Sequence, residues 1–167
     1  MQTHPYDKLT LTDGASFIFT PCPGTKEVDL QTSVSQLKEA GAQAIITLMY
    51  DAEMKKNDAD SLPEVCEKHG MKWFQLPILD DDAPNEDFAT AFKVHYEDIM
   101  NILRSQGTIA VHYKGGSGRT GLVIGLLMHE LGYDKADIIG QVQKLRPKAL
   151  CLPVQLSFFN EFKKVGA

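Results

Sequence analysis

The segment HYKGGSGRTG, residues 112–121, contains the residue types of an anion-binding loop. Gly115, Gly116 and Gly118 allow backbone conformations that other residues rarely adopt, so successive N–H groups can converge on one anion. A predicted strand precedes the loop and an apolar helix follows it, and the positive end of the helix dipole adds to the site. Arg119 lies at the start of that helix, where its planar guanidinium can bind two phosphate oxygens. The pattern predicts a phosphate site.

Three phosphate-loop motifs compete for this segment. Residues 116–121 match the dinucleotide pattern G-x-G-x-x-G, but the acidic residues that follow fall in a predicted helix instead of at the end of a second strand. The triphosphate loop G-x-x-x-x-G-K-[ST] fails twice, because it needs lysine at Arg119 and glycine at Tyr113. The third motif, H-C-x-x-G-x-x-R, matches from His112 to Arg119 at every fixed position except the cysteine, where Tyr113 stands.

Strand and helix patterns alternate around this loop. Asp13-Gly14 joins two short predicted strands in a hairpin, and AQAIITLMY, MKWFQLPI and TIAVHY indicate three more strands. Helices are predicted in DLQTSVSQLKEAG, in SLPEVCEKHG with a Ser61–Glu64 capping box, from Asn85 to Gly107, and in RTGLVIGLLMHELG, DKADIIGQVQKLR and PVQLSFFNEFKKVG. We therefore expect one α/β domain over residues 1–167, with a mostly parallel central sheet of about five strands flanked by helices and a crevice at the carboxyl ends of the strands.

Composition limits the class of protein. The chain has 167 residues, 43% of them hydrophobic, and a formal net charge of −5, which argues against a nucleic-acid or anionic-membrane surface. Its three cysteines lack C-x-x-C spacing, so we expect no disulfide framework, no metal and no cofactor, and small buried side chains at Cys22 and Cys151. Without a signal-peptide pattern or a long apolar run, we expect a complete, cytoplasmic chain. We also expect it to be a monomer.

The loop resembles the signature of the cysteine-dependent protein tyrosine and dual-specificity phosphatases. The stretches FTPCPGTK, QLKEAGAQAIITL, LPILDDDAP and LRPKALCLPVQ are similar to the kinase-associated phosphatase branch, so the resemblance runs from about Phe19 to the end. It implies a phosphotyrosine protein phosphatase-like fold and metal-free hydrolysis of phosphomonoesters on a protein or peptide partner. In that mechanism a thiolate attacks phosphorus, an aspartic acid protonates the leaving oxygen, and water hydrolyses the phosphocysteine.

The resemblance also implies roles for the loop residues. Tyr113 occupies the nucleophile position, His112 would order the loop backbone and lower the pKa of the nucleophile, and the Thr120 hydroxyl would hydrogen-bond the nucleophile and help it leave. Phosphate would be bound by Lys114, Gly115, Gly116, Ser117, Gly118 and Arg119.

Two further roles fall outside the loop. Asp80 is the first choice for the general acid, because it lies four residues before Pro84 in a D-x-x-x-P pattern, and its aspartate neighbours would raise its pKa. Asp82 is the second choice. Gln155 resembles the glutamine that positions the hydrolytic water in related enzymes, although an amphipathic helix also places glutamines at the surface.

Tyrosine is a poor replacement for the nucleophilic cysteine. A phenol with a pKa of about 10 needs a larger shift than a thiol with a pKa of about 8.5, and its ring must fill the phosphate cradle or swing out of it. We expect little or no phosphatase activity from this chain. Three functions stay open: a phosphatase for phosphotyrosine, and for phosphoserine or phosphothreonine, that has lost its nucleophile, which the intact loop favours; a phosphopeptide-binding pseudophosphatase; and, through Lys114, a phosphoinositide phosphatase.

Overall fold

The computed structural model describes residues 3–25, 28–80, 82–115 and 118–166. Within these ranges it contains five strands and seven helices. In chain order they are β1 (Asp7–Thr10), β2 (Ser16–Pro21), α1 (Leu30–Glu39), β3 (Ala42–Thr47), α2 (Asp51–Lys56), α3 (Leu62–Lys68), β4 (Lys72–Gln75), α4 (Glu86–Arg104), β5 (Thr108–Tyr113), α5 (Gly118–Glu130), α6 (Lys135–Leu145) and α7 (Pro153–Glu161).

The strands form one sheet in the order β1-β2-β5-β3-β4. Strand β1 pairs antiparallel with β2, whereas β2, β5, β3 and β4 are mutually parallel. The predicted hairpin is present, and Gly14 takes φ +98° in its turn, a conformation that favours glycine. The predicted, mostly parallel five-stranded sheet is therefore confirmed. Strand β5 lies at its centre, so the loop that follows β5 leaves from the middle of the carboxyl edge.

Helices cover both faces of the sheet. Alternate residues of β2 point to opposite faces, so that Phe17 and Phe19 join the core beneath α4, α5, α6 and α7, whereas Ile18 joins the core beneath α1, α2 and α3. Strand β5 divides in the same way, with Ile109 and Val111 on the first face and Ala110 on the second. This two-sided burial explains why the strands are almost continuously apolar. None of the helices in the described ranges is long and apolar enough to cross a membrane.

Helix α5 is buried on almost every side, as its sequence indicates. Its glycines allow close approach to neighbouring elements. A Cβ placed on Gly121 would collide with the Cβ of Ala149, and one placed on Gly125 would lie 3.1 Å from Cε1 of Phe159. These contacts hold the start of α5, and with it the preceding loop, against the segment that leads into α7.

The structure corrects four expectations. Helix α2 is absent from the sequence prediction, because six residues are too few to show a helical period. The hydroxyl of Ser61 caps no helix, because the residue takes φ −89° and ψ 4° rather than the extended conformation that a capping side chain needs. Helix α7 ends at Glu161, since Phe162 is extended. Cys22 is buried as expected, but Cys151 is exposed.

Gly121→Ala should lower the free energy of unfolding by about 1–3 kcal/mol, because the added methyl overpacks the contact with Ala149. Gly140→Ala is the matched control on α6, where an added Cβ has no heavy atom of the described residues within 4 Å apart from its chain neighbours and the backbone of its own helix. It should stabilise the protein by about 0.5–1 kcal/mol through helix propensity alone. Urea denaturation measures both variants, and similar effects at the two glycines would contradict the close packing of α5.

Candidate active site

The predicted phosphate loop begins where three parallel strands end together. Tyr113, the last residue of β5, pairs with Pro21 of β2, and the preceding residue His112 pairs with Thr20 on one side and Thr47 on the other. The loop then enters α5 at Gly118. Gly116 and Ser117, two of the predicted phosphate-binding residues, lie outside the described ranges. Lys114 and Gly115 are exposed at the rim of the loop.

A buried hydrogen-bond chain lies beneath the loop. Trp73 Nε1 donates to Thr47 Oγ1 over 2.8 Å, and the Thr47 hydroxyl contacts His112 Nε2 at 2.7 Å. Because the carbonyl oxygen of Tyr113, 3.4 Å from Nδ1, can only accept, Nδ1 carries the ring proton, and Nε2 accepts the proton of the Thr47 hydroxyl. Sequence reasoning missed both residues. Thr47 is a polar residue at the end of the buried strand β3, and Trp73 lies within β4 with no polar signal of its own.

The ring of Tyr113 lies between the start of α5 and the guanidinium of Arg119. Its phenolic oxygen accepts a hydrogen bond of 2.9 Å from the backbone N–H of Gly118, at the start of α5. The ring also stacks on Arg119, with 4.4 Å between the guanidinium carbon and the ring centroid. Of the two arrangements that the sequence allows, filled cradle and outward swing, the structure has the first. The phenol oxygen thus lies where a helix N-terminus would bind an anion.

Arg119 is buried rather than displayed on the surface, with 1% of it exposed. Glu53 binds it end-on, with Nη1–Oε1 at 2.9 Å and Nη2–Oε2 at 2.7 Å. Nη1 also donates to the carbonyl oxygen of Ile78 at 2.7 Å. Sequence reasoning missed Glu53, because it lies 66 residues before Arg119 on the unpredicted helix α2.

Two buried polar atoms beside the loop have no hydrogen-bond partner within the described ranges, namely Nε of Arg119 and Oγ1 of Thr120. Since Glu53 occupies the end-on edge of the guanidinium, the side-on edge formed by Nε and Nη2 is the one left for an oxyanion. Buried polar atoms are normally paired, so these two are candidates to bind a phosphoryl group. Within the described ranges, the Thr120 hydroxyl does not make the predicted hydrogen bond to the side chain of residue 113.

The predicted acid lies beside the arginine. Asp80 Oδ1 is 3.6 Å from Arg119 Nη2, and the Asp80 side chain is 69% exposed. Asp82, the second choice, accepts a hydrogen bond from the neighbouring N–H of Ala83 at 2.8 Å, so its carboxylate faces its own loop. Asp81 lies outside the described ranges. The geometry therefore favours Asp80 over Asp82 as the carboxyl group at the cradle.

Gln155 reaches the same place from α7. Only 2% of it is exposed, so it is not the surface glutamine that an amphipathic helix would allow. Its Nε2 donates to the carbonyl oxygen of Asp82 at 3.0 Å, and its Oε1 lies 3.5 Å from the position of a Cβ on Gly118. The structure thus brings Asp80, Arg119, Tyr113 and Gln155 around one loop. No three His, Cys, Asp or Glu side chains of the described ranges are grouped to hold a metal ion.

A mostly parallel sheet flanked by helices, with an arginine-bearing loop between the central strand and a buried helix, fits the class of protein tyrosine and dual-specificity phosphatases. Residues 23–132 match the Tc-R-P family, described as "Polymorphic toxin system, DSP-PTPase phosphatase". The chain belongs to this family, and the resemblance seen in the sequence is confirmed. No curated protein sequence matches the chain.

Solved structures share the fold. Kinase associated phosphatase, with serine in place of its catalytic-site cysteine, matches with a TM-score of 0.83 and 22% identity, over 97% of this chain and 95% of that one. Human DUSP28 gives a TM-score of 0.64 and 18% identity over 96% and 95% of the two chains. PTPMT1 in complex with PI(5)P gives a TM-score of 0.63 and 15% identity over 92% and 95%. At these identities the likeness establishes the fold.

The buried histidines should make stability depend on pH. Burial lowers the pKa of His112 to about 3 and that of His4, which contacts Thr20, to about 4, from an ordinary value of 6.5. Both rings stay neutral in the folded protein while the unfolded chain takes up protons below pH 6.5. The free energy of unfolding should therefore fall, as pH drops from 6.5 towards 4, by up to about 1.4 kcal/mol per pH unit for each ring.

His4→Gln tests this dependence, because it removes one of the two rings and leaves His112 in place. Denaturant midpoints and slopes at several pH values between 7 and 5 should show a shallower pH dependence for the variant. Parallel curves for the two proteins would contradict the neutral, buried state of His4.

Proposed function

We propose that this protein is a dual-specificity-type phosphatase scaffold whose phosphate site is filled by its own Tyr113, so that the chain as it stands has little or no phosphatase activity. The hydrogen bond from Gly118 N–H to the phenol oxygen, at 2.9 Å, carries this proposal. The ring against Arg119 supports it as well, because it occupies the space between the helix N-terminus and the guanidinium. Membership of a phosphatase family supplies the reaction class.

A cysteine at position 113 would remove the ring and leave the surrounding groups in place. The side-on edge of Arg119 and the loop N–H groups would then bind a phosphoryl group, and the positive end of α5 would stabilise the thiolate that attacks phosphorus. Asp80 would give its proton to the leaving oxygen. Thr120 would hydrogen-bond the departing sulfur when water hydrolyses the phosphocysteine. Phosphotyrosine monoesters are the proposed substrates, with phosphoserine and phosphothreonine as further candidates.

The pseudophosphatase alternative fits the geometry less well. A phosphopeptide would compete with the phenol for the Gly118 N–H and would have to displace the ring from its stack on Arg119. The phosphoinositide alternative depends on Lys114, which is exposed at the loop rim and therefore available to an acidic head group. PTPMT1, solved with PI(5)P, shares the fold, and its ligand makes a phosphoinositide a natural comparison substrate.

Tyr113→Cys should convert the protein from inactive to measurably active on p-nitrophenyl phosphate in the presence of EDTA. Tyr113→Ser is the matched control, because it removes the ring without supplying a thiolate, and it should stay inactive. Within the cysteine variant, Asp80→Ala should lower kcat by about 10²–10⁴-fold. Arg119→Ala should abolish the rate. No hydrolysis by Tyr113→Cys, with the fold intact by circular dichroism, would overturn the phosphatase proposal.

Calorimetry with a phosphotyrosine peptide tests the closed cradle separately from turnover. The parent chain should show no binding, because the ring excludes the phosphoryl group. Tyr113→Ser should bind the peptide, whereas Tyr113→Phe, which keeps the ring and loses only the hydroxyl, should not. Binding by the parent would instead establish the pseudophosphatase function.

A further inference from the structure

The backbone that carries Asp80 connects β4 to α4 and passes beside Arg119 at the phosphate loop. We refer to residues 78–80 and 82–85 as the acid segment. Its internal bonds include Asp82 N–H to the Leu79 carbonyl at 3.2 Å and the short contact of Asp82 with Ala83. At its start, the N–H of Ile78 donates to the carbonyl oxygen of Leu48 at 3.1 Å. Among the described residues, its other hydrogen bonds to distant elements are made through side chains. Beyond Ile78, those side chains therefore fix its position.

Three of these attachments are distributed along the acid segment. Arg119 donates to the carbonyl oxygen of Ile78 at its start, over 2.7 Å. Gln155 donates to the carbonyl oxygen of Asp82 in its middle, over 3.0 Å. At its end, Asn85 Nδ2 donates to the hydroxyl of Tyr50 at 3.2 Å. The first two attachments lie on either side of Asp80.

The Asp80 side chain does little to hold itself in place. It is 69% exposed, and its Oδ1 is 3.6 Å from Nη2 of Arg119, so the carboxylate of this ion pair is open to solvent. Exposed pairs of this kind contribute about 0–1 kcal/mol, which is too little to fix a loop. The position of the carboxyl group must follow from the backbone anchors at residues 78 and 82.

The anchor at residue 78 is made by Arg119 itself, whereas the anchor at residue 82 is made by Gln155. Its amide is buried and lies between the acid segment and the first residue of α5, with Nε2 on Asp82 and Oε1 beside Gly118. One of its amide protons is thereby committed to the backbone. This arrangement differs from a glutamine that holds a water molecule with a freely presented amide.

We infer that Gln155 is a positioning residue for the general acid, which holds Asp80 at the leaving-group oxygen through its hydrogen bond to the Asp82 carbonyl. This inference rests on the proposed function for its catalytic consequence. Its structural consequence, a fixed acid segment, applies to the chain as it stands.

The structural consequence is tested without any activity. Gln155→Leu keeps the side-chain bulk and removes the donor, so the N–H groups of the acid segment should exchange with deuterium about tenfold faster or more. Gln143→Leu is the matched control. Gln143 lies on α6, and its Nε2 also donates to a backbone carbonyl, that of Ala149, at 3.0 Å, but among the described residues it makes no hydrogen bond to the acid segment. Unchanged exchange in Gln155→Leu, or an equal increase in both variants, would overturn the inference whatever the outcome for phosphatase activity.

The catalytic consequence is tested in the Tyr113→Cys background with two leaving groups. Phenyl phosphate needs a proton on its leaving oxygen, whereas 2,4-dinitrophenyl phosphate releases a stable phenolate that leaves without one. Gln155→Leu should lower kcat/KM by about 10–100-fold for phenyl phosphate, lower it by less than about threefold for the dinitrophenyl ester, and weaken the decline in rate at high pH. Gln143→Leu should leave both rates unchanged.

A water-positioning role gives a different pattern. It would lower kcat equally for both esters and produce a burst of phenol release equal to the enzyme concentration, because the phosphocysteine would accumulate. That result would overturn the inference and leave the proposed function standing. No activity of Tyr113→Cys on either ester would instead refute the proposed function, and hydrogen exchange would still decide whether Gln155 fixes the acid segment.

Discussion

The site depends on a buried positive charge at the positive end of a helix. Arg119 lies in the first turn of α5 with only 1% of its surface exposed, an arrangement that both the helix dipole and desolvation oppose. Glu53 compensates by binding two guanidinium nitrogens, and the carbonyl oxygens of Leu48 and Ile78 accept further hydrogen bonds. The same bonds connect α2, the end of β3 and the acid segment to the loop. Satisfying one cation thus determines how four parts of the chain meet.

In the proposed phosphatase scaffold, a tyrosine at position 113 changes the hydrogen bonding of the loop as well as the chemistry of the residue at the nucleophile position. A loop that binds phosphate presents N–H groups that lack partners until a ligand arrives. Here the phenol oxygen of Tyr113 supplies a partner for Gly118, and the ring supplies a face for the guanidinium of Arg119. On the proposed function, the side chain of Tyr113 therefore takes the place of part of a bound phosphoryl group. Such a loop gains order in the absence of phosphate at the expense of access.

The sequence predicted the parts of the fold that depend on local patterns. Apolar runs, helix periods and turn residues give the five strands, six of the helices and the loop with its arginine. They could not give Glu53, because an ion pair across 66 residues on a six-residue helix leaves no periodic signal. Nor could they give the burial of Gln155, which depends on how α7 packs, or the inward placement of the Tyr113 ring, for which the sequence allowed two arrangements.

The chain between Trp73 and the loop also has an optical consequence. Trp73 is the single tryptophan of the protein, and its indole N–H reaches Thr47, whose hydroxyl meets His112 directly beneath Tyr113. Indole emission responds to hydrogen bonding and to the polarity around the ring. Two side chains, Thr47 and His112, thus connect a native fluorophore to residue 113. We expect its emission to respond to changes in the loop without any attached label.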